Sequence, residues 1–381
     1  MKRESPTTGE DRGPLRLWGL YIHVPFCLSK CRYCTFYSER VPGGDTLSLF
    51  VRAVLRELEE FKGIIRAPYT LYIGGGTPTV MDKQLLRLIE GVLYLMGEMP
   101  VEFSVEANPA TFNRDLLRSL RELGVTRLSI GVQSLNDETL SFLGRPHSSS
   151  QALSALDAAL SVFEEVNADI IFAVPGQSLR GLEETLRRVA RSGVTHISAY
   201  GLSVEPPSEL HRLVASGRVK EVDGELFSRM FNLVHEFLTG EGFHHYEISN
   251  YAKGKRCLHN LIYWCRRPYV GLGPSAASFV GRTRWRNPPN LGLYLQGALE
   301  GRLPREKERI DERTSCTEML MLYLRLASGI HTRKLRGCPG AKERLERAQS
   351  AGLLEAPSPG RFRIPHSLWP VSNSIISELL P

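Results

Sequence analysis

The stretch HVPFCLSKCRYC, residues 23–34, carries three cysteines within eight positions, at Cys27, Cys31 and Cys34. It overlaps the end of an apolar run over residues 17–24 that is typical of a buried strand. Three thiolates on one tight loop can hold three corners of a four-iron, four-sulfur ([4Fe–4S]) cluster and leave the fourth iron free for a ligand. The spacing therefore predicts a metal centre at the end of the first strand of a sheet.

The same residues fit a second kind of metal site. Three cysteines and His23 would complete the tetrahedral coordination of a structural zinc ion. The chain has seven cysteines, an odd number, and its first fourteen residues, MKRESPTTGEDRGP, contain no apolar stretch of the kind an export signal needs. We therefore expect reduced thiols rather than disulfides.

Five further apolar runs follow, separated by amphipathic helical patterns. The predicted strands cover residues 17–24, 69–73, 101–107, 127–132, 169–174 and 196–203. The predicted helices between them cover residues 47–61, 82–96, 113–123, 151–164 and 179–191. This alternation is typical of a parallel sheet with right-handed crossovers. Because six units are too few for an eight-unit barrel, we predict an α/β fold with an open or partial (β/α)6 barrel.

The alternation stops after Pro206, and the remainder divides by composition. A helix is predicted around residues 225–238, and residues 287–309, with three prolines, read as a connecting segment. The predicted organisation is a disordered N-terminus (1–14), the partial barrel (15–240), an extension (241–309) and a small C-terminal helical module with a β wing (310–381).

Two glycine stretches differ in what they predict. Residues 74–78, GGGTP, follow the second strand, at the sheet edge where parallel α/β folds bind substrates. Without Cβ atoms, their backbone can approach a ligand closely, and the lack of a following Lys-Ser/Thr pair excludes a nucleotide-phosphate loop. Residues 271–276, GLGPSA, fit a dinucleotide fingerprint but lack the strand-helix frame it requires, so no nucleotide is expected there.

Taken together, these motifs resemble the radical S-adenosylmethionine superfamily, and within it the group of the oxygen-independent coproporphyrinogen oxidase and the heme chaperones. The matching stretches are YIHVPFC (21–27), GGGTP (74–78), EANP (106–109), GVQS (131–134), PGQ (175–177), YEISN (246–250) and GLG (271–273). In that superfamily the free iron chelates the methionine end of S-adenosylmethionine, and reductive cleavage gives a 5′-deoxyadenosyl radical.

The resemblance implies a role for each matching residue. Iron would be ligated by Cys27, Cys31 and Cys34. S-adenosylmethionine would be bound by Tyr21, Tyr33, Gly75, Gly76, Thr77, Glu106, Gln133, Arg145 and Asp169, with Glu106 at the ribose and the glycine loop at the methionine end. The alternative, from the residues alone, is that Arg145 and Asp169 form an ordinary ion pair.

Two departures separate this chain from the oxidase. Thr35 and Phe36 follow Cys34 where the oxidase carries a fourth cysteine, and only 26 residues precede Cys27. The chain also has HNLIYW at residues 259–264, which matches the His-Asn-x-x-Tyr-Trp motif of the chaperone branch. The resemblance thus implies a chaperone that passes heme to apoproteins such as membrane-associated respiratory cytochromes. Coproporphyrinogen oxidase activity is not expected, and whether the chain is an enzyme stays open.

The resemblance associates this segment with heme, and the residues agree. His259 could ligate heme iron, and Trp264 offers a flat apolar face to a porphyrin. The alternatives are that His259 is a hydrogen-bonded structural residue, or that Cys257 or Cys265 supplies a thiolate. Five arginines could pair with heme propionates or form a solvated basic face: Arg266, Arg267, Arg282, Arg284 and Arg286.

Composition limits the remaining classes. The 381 residues are 42% hydrophobic, enough for a sizeable core, and no apolar run reaches the ~18 residues of a membrane span. The net charge of +7 comes from 48 basic and 41 acidic residues that are mixed along the chain without a nucleic-acid reader motif. We expect a cytoplasmic protein that does not bind nucleic acid, and leave a homodimer open. Two alternatives remain open. One is a radical S-adenosylmethionine oxidoreductase that acts on coproporphyrinogen III or another tetrapyrrole, and the other is a zinc-stabilised binding module without radical chemistry.

Overall fold

The computed structural model describes residues 18–62 and 68–380. The N-terminus predicted to be disordered, residues 1–14, lies outside the described residues, as do the first residues of the predicted barrel.

Six parallel strands form the centre of the fold, as predicted. They are β1 (Gly19–Val24), β2 (Thr70–Gly75), β3 (Glu102–Ala107), β4 (Arg127–Gln133), β5 (Glu165–Phe172) and β6 (His196–Gly201). Each strand pairs in parallel with the next one along the chain. All six therefore end at the same edge of the sheet, and their following loops meet there.

Helices connect these strands. They are α1 (Thr46–Glu60), α2 (Lys83–Met96), α3 (Arg114–Glu122), α4 (Asp137–Leu143), α5 (Ser149–Leu160) and α6 (Leu179–Arg191). The predicted buried face of α1 is confirmed, since Phe50, Val54 and Leu58 are buried in the core. The short α4 was not predicted, because seven residues give too little periodicity to detect.

The barrel stays open because further strands extend both edges of the sheet. Beyond β6 lie β7 (His244–Glu247) and β8 (Asn250–Ala252); beyond β1 lie β9 (Tyr269–Leu272), β10 (Ala277–Val280), β11 (Thr283–Arg286) and β12 (Glu306–Arg309). The rejected dinucleotide fingerprint is the end of β9, and strand β10 follows it rather than a helix. A Cβ on Gly271 would lie 2.2 Å from the Ala277 carbonyl oxygen, so strand packing explains that glycine.

Four helices complete the barrel and its extension: α7 (Glu209–Ala215), α8 (Gly224–Gly240), α9 (Leu258–Trp264) and α10 (Leu291–Glu300). The prediction that residues 287–309 are a connecting segment is wrong, since they contain α10 and β12. The prolines flank the helix rather than interrupt it. Tyr294 is buried on α10 and donates a hydrogen bond to the buried Glu57 carboxylate on α1 at 2.8 Å, so the helix packs on the barrel.

The C-terminal module has the predicted helices and β wing. Its elements are α11 (Glu312–Tyr323), β13 (Ile330–His331), α12 (Ala341–Ser350), β14 (Glu355–Ser358), β15 (Arg361–Arg363) and α13 (Ser372–Leu379). The expectation of reduced thiols throughout is wrong here, because Cys316 and Cys338 form a disulfide. Folding brings their Cα atoms to 5.6 Å although 22 positions separate them in sequence, which spacing alone did not reveal.

Within the described residues, every helix is too short or too polar to cross a lipid bilayer.

Candidate functional site

The three clustered cysteines lie on the loop that leaves β1, here named the cysteine loop. Cys27, Cys31 and Cys34 are half-buried and form no disulfide. The Cys27 sulfur is 3.7 Å from the Thr77 hydroxyl oxygen, and Arg145 donates a hydrogen bond to the Cys31 sulfur at 3.3 Å. Burial raises the pKa of the Cys27 and Cys34 thiols, so coordination to a metal would supply the drive to ionise them.

The cysteine loop is fastened to the glycine loop that follows β2. The Gly76 amide donates to the Val24 carbonyl at 2.7 Å, and the Thr77 amide donates to the Phe26 carbonyl at 2.7 Å. A Cβ on Gly76 would stand 2.6 Å from the Phe26 carbonyl oxygen and 3.0 Å from the Cys27 sulfur. Glycine is therefore required at this position by the close approach of the two loops.

The geometry favours a cluster over a single zinc ion. The ring nitrogens of His23 are already engaged, Nδ1 with the Tyr21 hydroxyl at 3.0 Å and Nε2 with the Tyr37 carbonyl at 2.8 Å. These residues are all described, and no three ligand atoms among His23 and the cysteine loop lie within 4.8 Å of one another. Sulfurs bound to one zinc at about 2.3 Å stand at most ~4.6 Å apart, whereas a four-iron cluster offers separate corners to separate thiolates.

A half-buried carboxylate lies beside the glycine loop. Glu106 on β3 accepts hydrogen bonds from the Gly75 amide at 2.9 Å and from the Tyr72 hydroxyl at 2.8 Å, one on each oxygen. Burial raises its pKa to about 7, and the nearby Asp169 carboxylate acts in the same direction. Each Glu106 oxygen keeps acceptor capacity for a further donor, as two neighbouring ribose hydroxyls would require.

Asp169 is the second carboxylate of the site and lies on β5. Its two oxygens accept from the Asn167 side-chain amide at 2.8 Å and from the Ser129 hydroxyl at 3.2 Å. Burial raises the pKa of Asp169, while the fully buried Arg127 favours the ionised form of both carboxyls. Glu106 and Asp169 give the cavity a half-buried acidic patch that suits a cationic ligand group.

Arg145 and Gln133 complete this side of the site. Arg145 donates to the Gly131 carbonyl at 2.8 Å as well as to Cys31, and its buried Nε atom has no hydrogen-bond partner among the described residues. Gln133 adopts a φ of 62°, in the left-handed region. The hydrogen bonds of Arg145 go to Cys31 and Gly131 and those of Asp169 come from Ser129 and Asn167, so the two residues do not form the ordinary ion pair considered from the sequence.

These groups surround one cavity of about 450 Å³ at the C-terminal edge of the parallel strands. Eleven of the residues singled out from the sequence line it: Cys27, Cys31, Cys34, Tyr33, Gly75, Gly76, Thr77, Glu106, Gln133, Arg145 and Asp169. Tyr21 does not line it, contrary to expectation. It lies two residues earlier on β1 than His23, and its ring packs against Tyr72 and His259.

The comparisons with known proteins agree with this arrangement. The profile of the Radical SAM superfamily matches residues 21–189. The heme chaperone HemW of Mycobacterium tuberculosis is 34% identical over 364 residues, which cover 93% of each chain, and that of Bacillus subtilis is 32% identical over 82% of this chain and 85% of its own. The chain belongs to the HemW family of radical SAM proteins. Among solved structures, coproporphyrinogen III oxidase from Escherichia coli superimposes with a TM-score of 0.81 at 20% identity, covering 97% of this chain and 91% of its own, which shows the shared fold.

The HNLIYW segment, residues 259–264, which the resemblance associates with heme, lies on α9. The His259 imidazole is buried there, with Nδ1 2.7 Å from the Thr70 hydroxyl and Nε2 2.8 Å from the Tyr263 hydroxyl. Burial lowers its pKa to about 3. Both ring nitrogens are engaged, which is the structural role kept open from the sequence. Trp264 is half-buried at the end of the helix, and neither residue lines the cavity, although Asn260 does.

The arginine cluster of this HemW-family chain pairs mostly with its own acidic residues. Arg266 and Arg284 both form salt bridges with Glu318 on α11, and Arg282 pairs with Glu312 at 3.3 Å. These contacts join the extension to the C-terminal module. They favour a structural role for the cluster over binding of heme propionates.

Sequence reasoning missed several polar residues of the site in this HemW-family chain. Tyr72, Arg127, Ser129, Asn167, Ser198 and Tyr200 also line the cavity. A signal was present in the sequence, since each lies in an otherwise apolar parallel strand. Polar side chains in such a strand need buried partners or a ligand.

Proposed function

We propose that this chain is a heme chaperone: it binds heme and transfers it to apoproteins such as respiratory cytochromes, while carrying a [4Fe–4S] cluster and S-adenosylmethionine. The observation that carries the proposal is the 34% identity over 93% of the chain to a relative whose name is heme chaperone HemW. The HNLIYW motif, which matches the motif of the chaperone branch, supports the same assignment.

The cluster and its ligand are proposed for the cavity. The cysteine loop would hold three irons, and S-adenosylmethionine bound to the fourth would supply a sulfonium that a reduced cluster can cleave to a carbon radical. Glu106 is proposed to bind the ribose hydroxyls, and Gly76 and Thr77 to border the methionine end. Arg145 would stabilise negative charge on the cluster through its hydrogen bond to Cys31. The acidic pair, Glu106 and Asp169, suits the positive sulfonium.

Heme is proposed to bind where α9 meets the cavity. Asn260 of α9 lines the cavity, together with two exposed apolar side chains, Leu28 and Phe36, and the exposed aromatic ring of Tyr200. Such an apolar rim suits a flat porphyrin face. In this arrangement His259 acts as a positioning residue that holds α9 on β2 through Thr70, and it would ligate iron only after releasing two hydrogen bonds.

Anaerobic heme titration tests the proposal on reconstituted protein. We expect one equivalent of heme to bind saturably, with weaker affinity in Phe36→Ser and Leu28→Ser, two exposed residues that line the cavity, and unchanged affinity in the control Tyr94→Ala, an exposed aromatic on α2. A His259→Gln variant that keeps the Soret spectrum of the wild type would agree with the positioning role. Absence of saturable heme binding would refute the proposal.

A second assay separates transfer from oxidation. Heme-loaded protein mixed with an apocytochrome should lose its heme to that acceptor, whereas incubation with S-adenosylmethionine, reductant and coproporphyrinogen III should give no protoporphyrinogen. Formation of protoporphyrinogen would replace the chaperone proposal with the oxidase activity.

A further inference from the structure

Three histidines far apart in sequence converge outside the cavity described above. His235 lies on α8, His245 on β7, and His366 in the turn that precedes α13. One ring nitrogen from each lies within 4.8 Å of the other two, and the Nδ1 atoms of His235 and His245 are 2.9 Å apart. Within residues 18–62 and 68–380, no other three histidine, cysteine or acidic residues bring their ligand atoms within 4.8 Å of one another.

The surroundings of His245 hold its Nδ1 atom towards His235. His245 is buried, its Nε2 lies 3.4 Å from the Ile248 carbonyl oxygen, and its ring stacks on Tyr251 at 3.9 Å. A backbone carbonyl on the outer nitrogen is the usual partner of a metal-ligating imidazole, because it fixes the tautomer that leaves Nδ1 unprotonated. The buried Nδ1 of His366 has no hydrogen-bond partner among the described residues.

We propose that His235, His245 and His366 bind one divalent transition-metal ion, of which Zn²⁺ is the probe used below. Two nitrogens that ligate one tetrahedral zinc at about 2.0–2.1 Å stand about 3.3 Å apart, so the observed 2.9 Å requires a shift of only a few tenths of an ångström. Three imidazoles satisfy three of the four positions, and neutral imidazole suits zinc, copper, iron and nickel.

The fourth position would face solvent. A separate cavity of about 450 Å³ borders the triad, and it shares no lining residue with the cavity beside the cysteine loop. The cavity also contains Arg256 and the exposed His244. A site with three protein ligands and an open position can take water or an exchangeable ligand, unlike a closed structural site.

Protonation does not oppose metal binding at neutral pH. Burial lowers the pKa of His235 and of His245, and it lowers that of His366 to about 4. Burial thus favours the neutral form of the imidazoles, which is the form that binds a metal. Because the triad joins α8 and β7 to the C-terminal module, an ion there would link that module to the barrel.

Zinc binding to the full-length, cluster-reconstituted protein tests this site. After dialysis against a weak chelator, the wild type should retain one equivalent of Zn²⁺ by mass spectrometry, and added Zn²⁺ should raise its melting temperature. His235→Gln and His366→Gln should each lower zinc retention at least tenfold and abolish the thermal shift. The matched control His244→Gln, in the same cavity, should behave like the wild type.

X-ray absorption at the zinc edge on the wild type keeps the proposal testable if a variant fails to fold. Imidazole scattering from about three nitrogens near 2.0–2.1 Å is expected. Sulfur scattering near 2.3 Å would place the zinc on the cysteine loop and overturn the proposal. Wild-type protein that retains no zinc, or variants that retain it fully, would overturn it as well.

Discussion

Replacing Gly76 by alanine should disable the cysteine loop without touching a cysteine. The added Cβ would lie 2.6 Å from the Phe26 carbonyl oxygen, about 0.8 Å closer than ordinary contact, and 3.0 Å from the Cys27 sulfur. Neither neighbour is a flexible side-chain end. Phe26 is fully buried against Phe50, with ring centroids 5.2 Å apart, and its carbonyl accepts the Thr77 amide.

The expected free-energy cost of Gly76→Ala follows from this lack of room for the added methyl group. Forcing one extra methyl group into a well-packed site typically costs about 1–3 kcal/mol. Relief requires the cysteine loop to move away from the glycine loop, which carries the Cys27 sulfur with it. If this whole free energy disfavours the loop position in which Cys27 can ligate iron, that position becomes about 5- to 150-fold less populated, because 1.4 kcal/mol corresponds to a factor of ten.

The assay is iron and acid-labile sulfide content after anaerobic reconstitution, with the melting temperature of the unreconstituted protein. Gly76→Ala should incorporate substantially less iron and melt a few degrees lower than the wild type. Gly43→Ala is the matched control, because a Cβ there meets nothing within 4 Å. Equal iron content and equal melting temperature in the two variants would refute the argument from close approach.

Three further predictions concern buried charges. For Glu106 the folded-state pKa of about 7 lies above the usual 4.5, so its stabilising contribution is present below pH 4.5 and is lost as the pH rises through 7. Glu106→Gln should therefore gain up to about 3 kcal/mol in unfolding free energy relative to wild type at pH 8, yet bind S-adenosylmethionine at least tenfold more weakly by equilibrium dialysis. Glu247→Gln, whose buried carboxyl also has a pKa raised to about 7, should show the stability gain with unchanged binding, and equal binding losses in both variants would contradict the ribose role. Arg145→Gln should shift the cluster midpoint potential to more negative values in an EPR titration, because it removes the cation that donates to Cys31; an unchanged potential would exclude that role. Glu57→Ala should lower the unfolding free energy by about 3–5 kcal/mol in urea denaturation, because buried donors that include Arg305 lose their acceptor, and a loss below 1 kcal/mol would refute this estimate.

Much of the central fold was predictable because its signals are local. The strand that ends at Val24 and the face of α1 that includes Phe50 and Val54 each show a periodicity readable within one segment. The extension was predicted less well. Pro288 and Pro289 indicated a linker. In the structure they precede α10, and that helix packs on α1.

The site was predictable to a similar extent and for a related reason. The cysteine loop and the glycine loop are compact motifs. Their spacing and their positions after neighbouring strands predicted that they share one site. His259 shows the limit of that reasoning. Its motif indicated heme, but its hydrogen bonds to Thr70 and Tyr263 depend on how α9 packs against β2.

The sequence by itself determined the three-thiolate motif, the order of parallel units and the edge at which their loops meet, because these follow from local spacing and chain direction. Tertiary structure alone decided which distant side chains share a partner. It paired Cys316 with Cys338 and brought His235, His245 and His366 together. Such contacts carry no periodic signal, since they depend on the packing of whole elements rather than on the residues beside them.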